Sequence, residues 1–523
     1  MRRVSVRVAR WLPLVAAGTA VAVGLVLRFR TDSAIWLDEA ISVEIARRPV
    51  PELLDALRSD GAPPLYYLLL HLWIGVFGDG DVAVRALSGL ASAVALPLAW
   101  VLGQRVGRQS VGFSQADGRY VPQVATATLL LFATSPYAIR YASEARMYSL
   151  MVLLVVVFGL LLVRALERPG PRTAVPLTLA TAALAYTHYW SFLLLATVAL
   201  GLLLQIRRRP EQVRAWRTSL VAMLAAGLLF LPWLPSFGYQ LLHTGTPWAP
   251  PVRPQVLLDT VFDWAGPDYQ GAVLFLVLLF GAFLGLTSWP AADGRHLVLD
   301  LSGRAPGRFL TVLWLLPLAL AYLLWLYSGS AYAERYTGVS LPAFLLLAGL
   351  GLGLLPSRRV RLTVLAMAAA AGLLGGHQLA GRERTQAVAL AARLAEQSQP
   401  GDVVAYCPDQ LAPALHRALV RRGVDTRVRE MVFADAAGPA LVDWVDYTER
   451  MRRASPSDFV AAVERTAGPE RAVYLVQGER YRAVGDSCAR IAEFLEASRG
   501  KPIVVAARQP LLEGARLLRY ASR

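Results

Sequence analysis

Through its first 380 residues the chain alternates long apolar runs with short polar interruptions, and the length of the runs is what informs. They lie at about 11–27, 81–103, 121–138, 147–163, 173–187, 190–206, 218–235, 271–289, 309–327, 338–355 and 362–379. A helix of about 20 residues crosses a hydrocarbon core of about 30 Å, so each run predicts a membrane-spanning helix, about eleven in all. A further stretch, "PLYYLLLHLWIGVF" (64–77), is shorter and sits between Pro63-Pro64 and "GDGD"; it reads as interfacial or re-entrant. The first run follows a basic "MRRVSVRVAR", as the apolar part of a signal peptide would. It is longer than such a part usually is and continues into Arg28 and Arg30 instead of a small-residue cleavage site, so it reads as an anchor.

From residue 381 the pattern changes. "GDVVAYC" (401–407), "RAVYLVQ" (471–477) and "KPIVVAA" (501–507) read as short buried strands, and "RTQAVALAARLAEQ" (384–397) and "DSCARIAEFLEASR" (486–499) as amphipathic helices between them. The expectation is a polytopic α-helical membrane domain over 1–380 followed by a soluble α/β domain over 381–523.

Composition sharpens this picture. Hydrophobic residues make up 55% of the chain and charged ones 17%, far from a soluble globular balance. The net charge of +16 comes almost wholly from arginine, and no basic stripe with interleaved aromatics occupies a soluble segment, which argues against a nucleic-acid partner. With the N-terminus inside, the cytoplasmic segments hold Arg105, Arg108 and Arg119; Arg164, Arg168 and Arg172; Arg207 to Arg209 with Arg214 and Arg217; Arg295, Arg304 and Arg308; and Arg358, Arg359 and Arg361. The outer loops after the first one are poorer, with Arg85, Arg140, Arg146, Arg253 and Arg335. Counting 64–77 as a span would reverse this alternation, so the positive-inside rule predicts a plasma-membrane protein with N-in, C-out topology. Residues 381–523 then lie outside the cytoplasm, where Cys407 and Cys488 are candidate disulfide partners; two separate buried thiols are the alternative.

Under this topology the polar residues gather at the outer ends of the spans: Asp38 and Glu39, "IRYASEARMYSL" (139–150), "YTHYW" (186–190), the loop 236–270 with "GTPWAPP", and "AYAERYTGVSLP" (331–342). Ionisable groups at a membrane boundary are costly to desolvate, which makes such a cluster a candidate site. "WLDEAISVEIARRPVPELLDAL" (36–57) has the spacing of a helix lying in the interface plane. There Asp38 can serve as N-cap with Glu39 in the first turn, or one carboxylate can act as a general base whose pKa partial desolvation lifts. Arg140, Arg146 and Arg335 stand beside Tyr141, Tyr148 and Tyr336. Interfacial anchoring explains them one at a time, yet "SEAR" and "AERY" each pair Glu with Arg, and such an arginine can hold a leaving phosphate. His188 reads either as a helix-end histidine or as a donor to the same phosphate or to a sugar hydroxyl. No zinc-protease helix, CxxC pair, Gly-rich phosphate loop or nucleophile elbow stands in a convincing context, which argues against a soluble nucleotide-binding enzyme.

The order "WLDEA", "APPLYYLLLHLW", "RYASEARMYSLM" and "ERYTGVSLPAF" along an N-in polytopic chain resembles the lipid-linked-sugar glycosyltransferases of the GT-C fold. More narrowly it resembles the branch of protein O-mannosyltransferases and aminoarabinose transferases, and within it the actinobacterial mannosyltransferase-like members; the resemblance covers about residues 10–380. It implies an extracytoplasmic site that moves a sugar from a polyprenyl phosphate to a hydroxyl acceptor with inversion. It also implies Asp38 as general base with Glu39 as its motif partner, Glu144 as the acidic residue that positions substrate or a metal, and Arg335 as the holder of the donor phosphate. Relatives often carry a histidine before the double proline, where this chain has Ala62; His71 lies one or two helical turns further on.

A polyprenyl phosphate is anchored in the bilayer, so its sugar hangs at the depth expected for Asp38, and Arg335, Arg140, Arg146 or His188 can supply the cation its phosphate needs. In-line attack requires base and phosphate binder on opposite sides of the sugar carbon. No cofactor is required; a divalent ion shared by Asp38, Glu39 and Glu144 stays open, since no His or Cys completes an obvious site. Mannose is the first expectation for the sugar and arabinofuranose the second, by analogy; the acceptor is a glycan, glycolipid or protein of the cell envelope. The competing classes are a flippase or transporter, whose key charges usually lie near the bilayer midplane, and a non-catalytic envelope assembly protein.

Overall fold

The computed structural model describes residues 2–111, 120–208, 210–246, 252–291, 293, 295–328, 332–434, 437–479 and 481–522. Arg119, Arg209 and most of "GTPWAPP" lie outside them. The chain divides into two compact units. One comprises Met1–Arg30, Arg85–Leu234 and Pro251–Gly381, and the other Thr31–Val84, Pro235–Pro250 and Arg382–Arg523. The units do not follow a simple division of the sequence after residue 380, because the second takes in 31–84 and 235–250 together with 382–523.

Each expected apolar run lies largely in helix, but 121–138 is divided at Ser135 between Tyr120–Thr134 and Pro136–Ala142, 218–235 runs from Val213–Phe230 through Leu231–Trp233 into Leu234–His243, and 338–355 begins in the 3-10 turn Glu334–Val339. Among the described residues seven helices are long and apolar enough to cross a membrane: Asp81–Ser110, Tyr148–Glu167, Ser191–Arg208, Val213–His243, Asp268–Thr287, Ala305–Ser328 and Arg358–Ala380. Trp11–Leu27, Tyr120–Thr134 and Leu341–Gly353 are shorter apolar helices, and the run at 173–187 lies in Pro171–Ala185. Leu65–Phe77 has 13 residues and is about 20 Å long, short of a crossing.

The first unit is packed as lipid requires. Leu341–Gly353 is buried along its whole length and packs against Asp268–Thr287 and Tyr120–Thr134. A Cβ added at Gly351 would lie 2.0 Å from the Gly281 carbonyl oxygen, so only glycine permits this approach. Val221, Leu224 and Leu228 on Val213–Phe230 are instead exposed, as suits a surface facing acyl chains. Arg28, read from sequence as a flank, is 1% exposed. Its guanidinium donates to Ser92 Oγ (2.9 Å) and to the carbonyls of Gly24 (2.6 Å), Ala133 (2.6 Å) and Phe132 (2.6 Å). Two of those carbonyls end Tyr120–Thr134, where helix acceptors are left over. A short hairpin, β1 (Ser288–Pro290) with β2 (Leu297–Leu299), completes the unit's regular structure.

The second unit contains a five-stranded sheet of β3 (Val403–Cys407), β4 (Arg429–Val432), β5 (Val473–Gly478), β6 (Ile503–Ala506) and β7 (Ala515–Tyr520), in the order β4-β3-β5-β7-β6. β3 pairs in parallel with β4 and β5; β7 runs antiparallel to β5 and β6. β3 and β5 are buried throughout, which is why Val403–Cys407 and the first four residues of β5 are apolar; the buried Gln477 that follows donates through Nε2 to the Cys488 carbonyl (3.0 Å). Two expectations are corrected. "KPIVVAA" forms β6 at the sheet edge, with Ile503 and Val504 exposed, so it is not a buried strand. The segment 36–57 is two helices, Leu37–Arg47 and Val50–Asp60, because Pro49 forces Arg48 out of the helical region (φ −73°, ψ 155°). Cys407, at the end of β3, is disulfide-bonded to Cys488 in the helix Ser487–Arg499.

Candidate active site

In the second unit, the helix Leu37–Arg47 carries the acidic pair. Trp36 holds the cap position, so Asp38 is the second helical residue and not the N-cap. Glu39 takes part in capping instead: its Oε2 lies 3.5 Å from the Trp36 amide, and its side chain is fully buried. Asp38 is half-buried, its carbonyl accepting from Ser42 Oγ at 2.7 Å. Acidic residues in a first turn are favoured by the helix dipole, which accounts for the pair's local conformation and leaves Asp38 the more accessible carboxylate. Trp36 has no side-chain acceptor to offer the first-turn amides. The Leu37 amide donates to Glu513 Oε1 at 2.5 Å, from a loop just before β7. His71, on Leu65–Phe77, meets the Ala46 carbonyl through Nδ1 at 2.8 Å; it secures the far end of Leu37–Arg47. Ala62, at the position of the absent histidine, is buried.

In the first unit, the short helix Pro136–Ala142 starts where Ser135 Oγ accepts from the Ala138 amide and Pro136 occupies the first turn. It presents Tyr137, Arg140 and Tyr141. Arg140 Nε lies 3.7 Å from Glu144 Oε1 and its Nη1 3.3 Å from Glu334 Oε1. Burial works against the Arg140 charge, but Tyr141, Glu334 and Glu144 outweigh it and hold the guanidinium firmly protonated. Its carbon sits 5.1 Å from the Tyr141 ring centroid, and that of Arg146 6.0 Å from Tyr148. The 3-10 turn Glu334–Val339 brings Glu334, Arg335 and Tyr336 to the same region. Tyr137 Oη donates to the Arg335 carbonyl (2.7 Å) and Trp264 Nε1 to Thr337 Oγ1 (2.8 Å). A Cβ at Gly338 would come within 2.5 Å of Tyr137 Oη, so the turn needs glycine there.

Tyr336 closes an aromatic box with His188 (4.7 Å between centroids), Trp190 (5.9 Å) and Tyr148 (6.3 Å). His188, in the turn before Ser191–Arg208, accepts from the Trp190 amide through Nδ1 at 3.2 Å. Burial, reinforced by Arg146, pushes its pKa down to about 3. The expectation of His188 as a cation therefore fails; it is neutral, with its proton on Nε2, and can offer a neutral donor.

The structure thus gathers Arg140, Tyr141, Glu144, Arg146, His188, Arg335 and Tyr336 in one unit, and Asp38, Glu39 and His71 in the other. Among the described residues no three His, Cys, Asp or Glu side chains are grouped as a metal ion would require. Sequence reasoning missed Tyr137, Trp190 and Glu513. The first two stand in the stretches around "IRYASEAR" and "YTHYW", whereas nothing local distinguishes Glu513.

No family model and no curated protein matches the chain. Among solved structures it is similar to ArnT from Cupriavidus metallidurans in the apo state, with 14% identity, a TM-score of 0.57 and 99% of each chain covered. It is also similar to the same protein bound to undecaprenyl phosphate, with 13% identity, a TM-score of 0.54 and 98% of each chain covered. The likeness is one of fold, and the chain is a mostly helical, multi-pass membrane protein of the GT-C fold class.

Proposed function

We propose that the protein is a glycosyltransferase that moves a sugar, mannose by preference, from a polyprenyl phosphate to a hydroxyl acceptor of the cell envelope on the extracytoplasmic side. Residues 1–380 supply the transferase domain, and 381–523 an extracytoplasmic domain that helps choose the acceptor. Asp38 takes the acceptor proton, and the oxygen attacks the anomeric carbon. The bond from that carbon to the phosphate oxygen breaks with inversion, and the polyprenyl phosphate leaves. Arg335 and Arg140 neutralise the leaving anion, bidentate contact being the natural mode for a guanidinium. Tyr336, Tyr141, Arg146 and neutral His188 bind the sugar and phosphate, and Glu144 keeps Arg140 in place.

The observation that carries this reading is the contrast within the acidic pair: Glu39 is buried at the cap, whereas Asp38, at the motif position for a base, is half-buried. The near full-length likeness of fold to ArnT, which has been solved with undecaprenyl phosphate, supports the donor class. The test is transfer or release of label from radiolabelled polyprenyl-phosphate mannose and arabinofuranose by the purified protein in lipid. Wild type is expected to move label from one of them, and folded Asp38→Asn to lose that activity. An Asp38→Asn protein working at the wild-type rate would remove Asp38 as the base.

A further inference from the structure

The helix that bears Asp38 is capped from the other end of the sequence. Its first amide, at Leu37, is one of the donors that a helix start leaves without an intrahelical partner, and it is satisfied by Glu513 Oε1 at 2.5 Å across 476 residues of sequence. The Trp36 carbonyl accepts from the amides of Glu39 (3.0 Å) and Ala40 (2.9 Å), so this one turn is held on both sides of Asp38.

Glu513 is itself fixed. Its amide donates to the Arg384 carbonyl (3.0 Å), and its carbonyl accepts from the Gln386 amide (3.3 Å). The Gln386 side chain accepts from the amides of Gln509 (3.1 Å) and Ala515 (3.2 Å) and donates to the Ala507 carbonyl (2.7 Å). The Arg384 amide in turn donates to Ser33 Oγ (3.0 Å), four residues before Leu37. Residues 384–386 therefore tie the 507–515 loop and the approach to the helix into one frame, and Glu513 is its contact with the first turn.

We propose that Glu513 is a positioning residue that fixes the first turn of Leu37–Arg47 and so aims Asp38 at the acceptor; the inference rests on reading Asp38 as the base. It assigns part of the C-terminal sequence to the reaction itself. The charged and titratable groups around the Glu513 carboxyl are Asp38 and Glu39 on the helix and Tyr481 on its own side, and the Thr385 side chain hydrogen-bonds to it. Burial, with Asp38 and Glu39 adding to it, pushes the Glu513 pKa up to about 8. At neutral pH it is therefore a neutral acceptor for Leu37, and above pH 8 an added negative charge beside Asp38 and Glu39.

The test uses the full-length protein in lipid, with the labelled polyprenyl-phosphate mannose or arabinofuranose that wild type accepts. Hydrogen exchange of the 37–41 amides is measured in parallel and needs no donor. Glu513→Ala is expected to lower kcat about tenfold or more with KM for the donor unchanged, as misaimed catalytic groups do, and to speed exchange at 37–41. Glu513→Gln, which still offers a carbonyl to Leu37, should recover most of kcat at pH 7 and lose the change in kcat that wild type shows near pH 8. A folded Glu513→Ala with wild-type kcat and exchange would overturn the inference. Should that variant not fold, a Glu513→Gln protein with the wild-type pH profile would overturn it instead. Asp38→Asn runs alongside: if it is fully active, the base assignment falls, whereas faster exchange in Glu513→Ala would still show Glu513 holding the helix.

Discussion

The two compact units handle buried charge in opposite ways. In the helical unit, Arg28 and Arg140 stay charged at low exposure because the fold surrounds them with acceptors: leftover helix carbonyls for Arg28, and Glu144 and Glu334 for Arg140. In the α/β unit, Glu513 is buried beside two further carboxyls, and protonation resolves the conflict. The first solution locks Arg28 into the fold and leaves Arg140 a fixed cation of the kind that the proposed donor phosphate requires. The second makes a neutral acceptor that can touch the helix of Asp38 at neutral pH without adding charge next to it.

The largest effect should come from the one carboxyl with a proposed chemical role. Asp38→Asn is expected to lower kcat by about 10²–10⁴-fold, the usual weight of general-base catalysis, with little change in thermal stability. Glu39→Gln keeps a capping acceptor and should lose far less, and equal losses would break the distinction between the two. Next in size is the disulfide, which belongs to the α/β unit alone. Breaking Cys407–Cys488 opens a closure of 81 residues, and chain-entropy arguments give a loss of about 4 kcal/mol, read as a lower urea midpoint for that unit while the helical unit's far-UV signal stays.

Arg28→Ala tests the pairing solution. It strands carbonyls at the end of Tyr120–Thr134 and should cost about 3 kcal/mol, measured as a drop in melting temperature in detergent. The last effect is read as a slope. Glu513 has a folded pKa near 8 against 4.5 for an ordinary glutamate, so between those values the folded unit holds a proton that the unfolded chain has released. Its contribution is therefore fully present below pH 4.5, declines as pH rises, and is gone once pH passes 8. Urea midpoints of wild type should fall across that window more steeply than those of Glu513→Gln.

Much of this was legible beforehand where the cause is local. Run lengths located the apolar helices, because crossing hydrocarbon sets a length that any window reveals. β3 and β5 were legible because strands buried on both faces are mostly apolar. β4, a four-residue edge strand beginning Arg-Glu, and β7, with Arg516 and Arg519 among its six residues, carry no such run and went unrecognised. The break at Pro49 has a local cause in the proline, but the apolar spacing that continues across it masks the break.

By itself the sequence determined that this is a polytopic helical chain with an α/β segment, and that Asp38 and Glu39 stand in the first turn of a helix. Those properties follow from the chemistry of consecutive residues. Only the tertiary structure decided that His188 is neutral, that Arg28 is buried among carbonyls, that β6 is an edge, and that Glu513 caps the helix of Asp38. Desolvation, hydrogen-bond satisfaction and charge coupling depend on neighbours brought close by the fold. For Leu37 the deciding neighbour lies 476 positions away, and no local pattern encodes it.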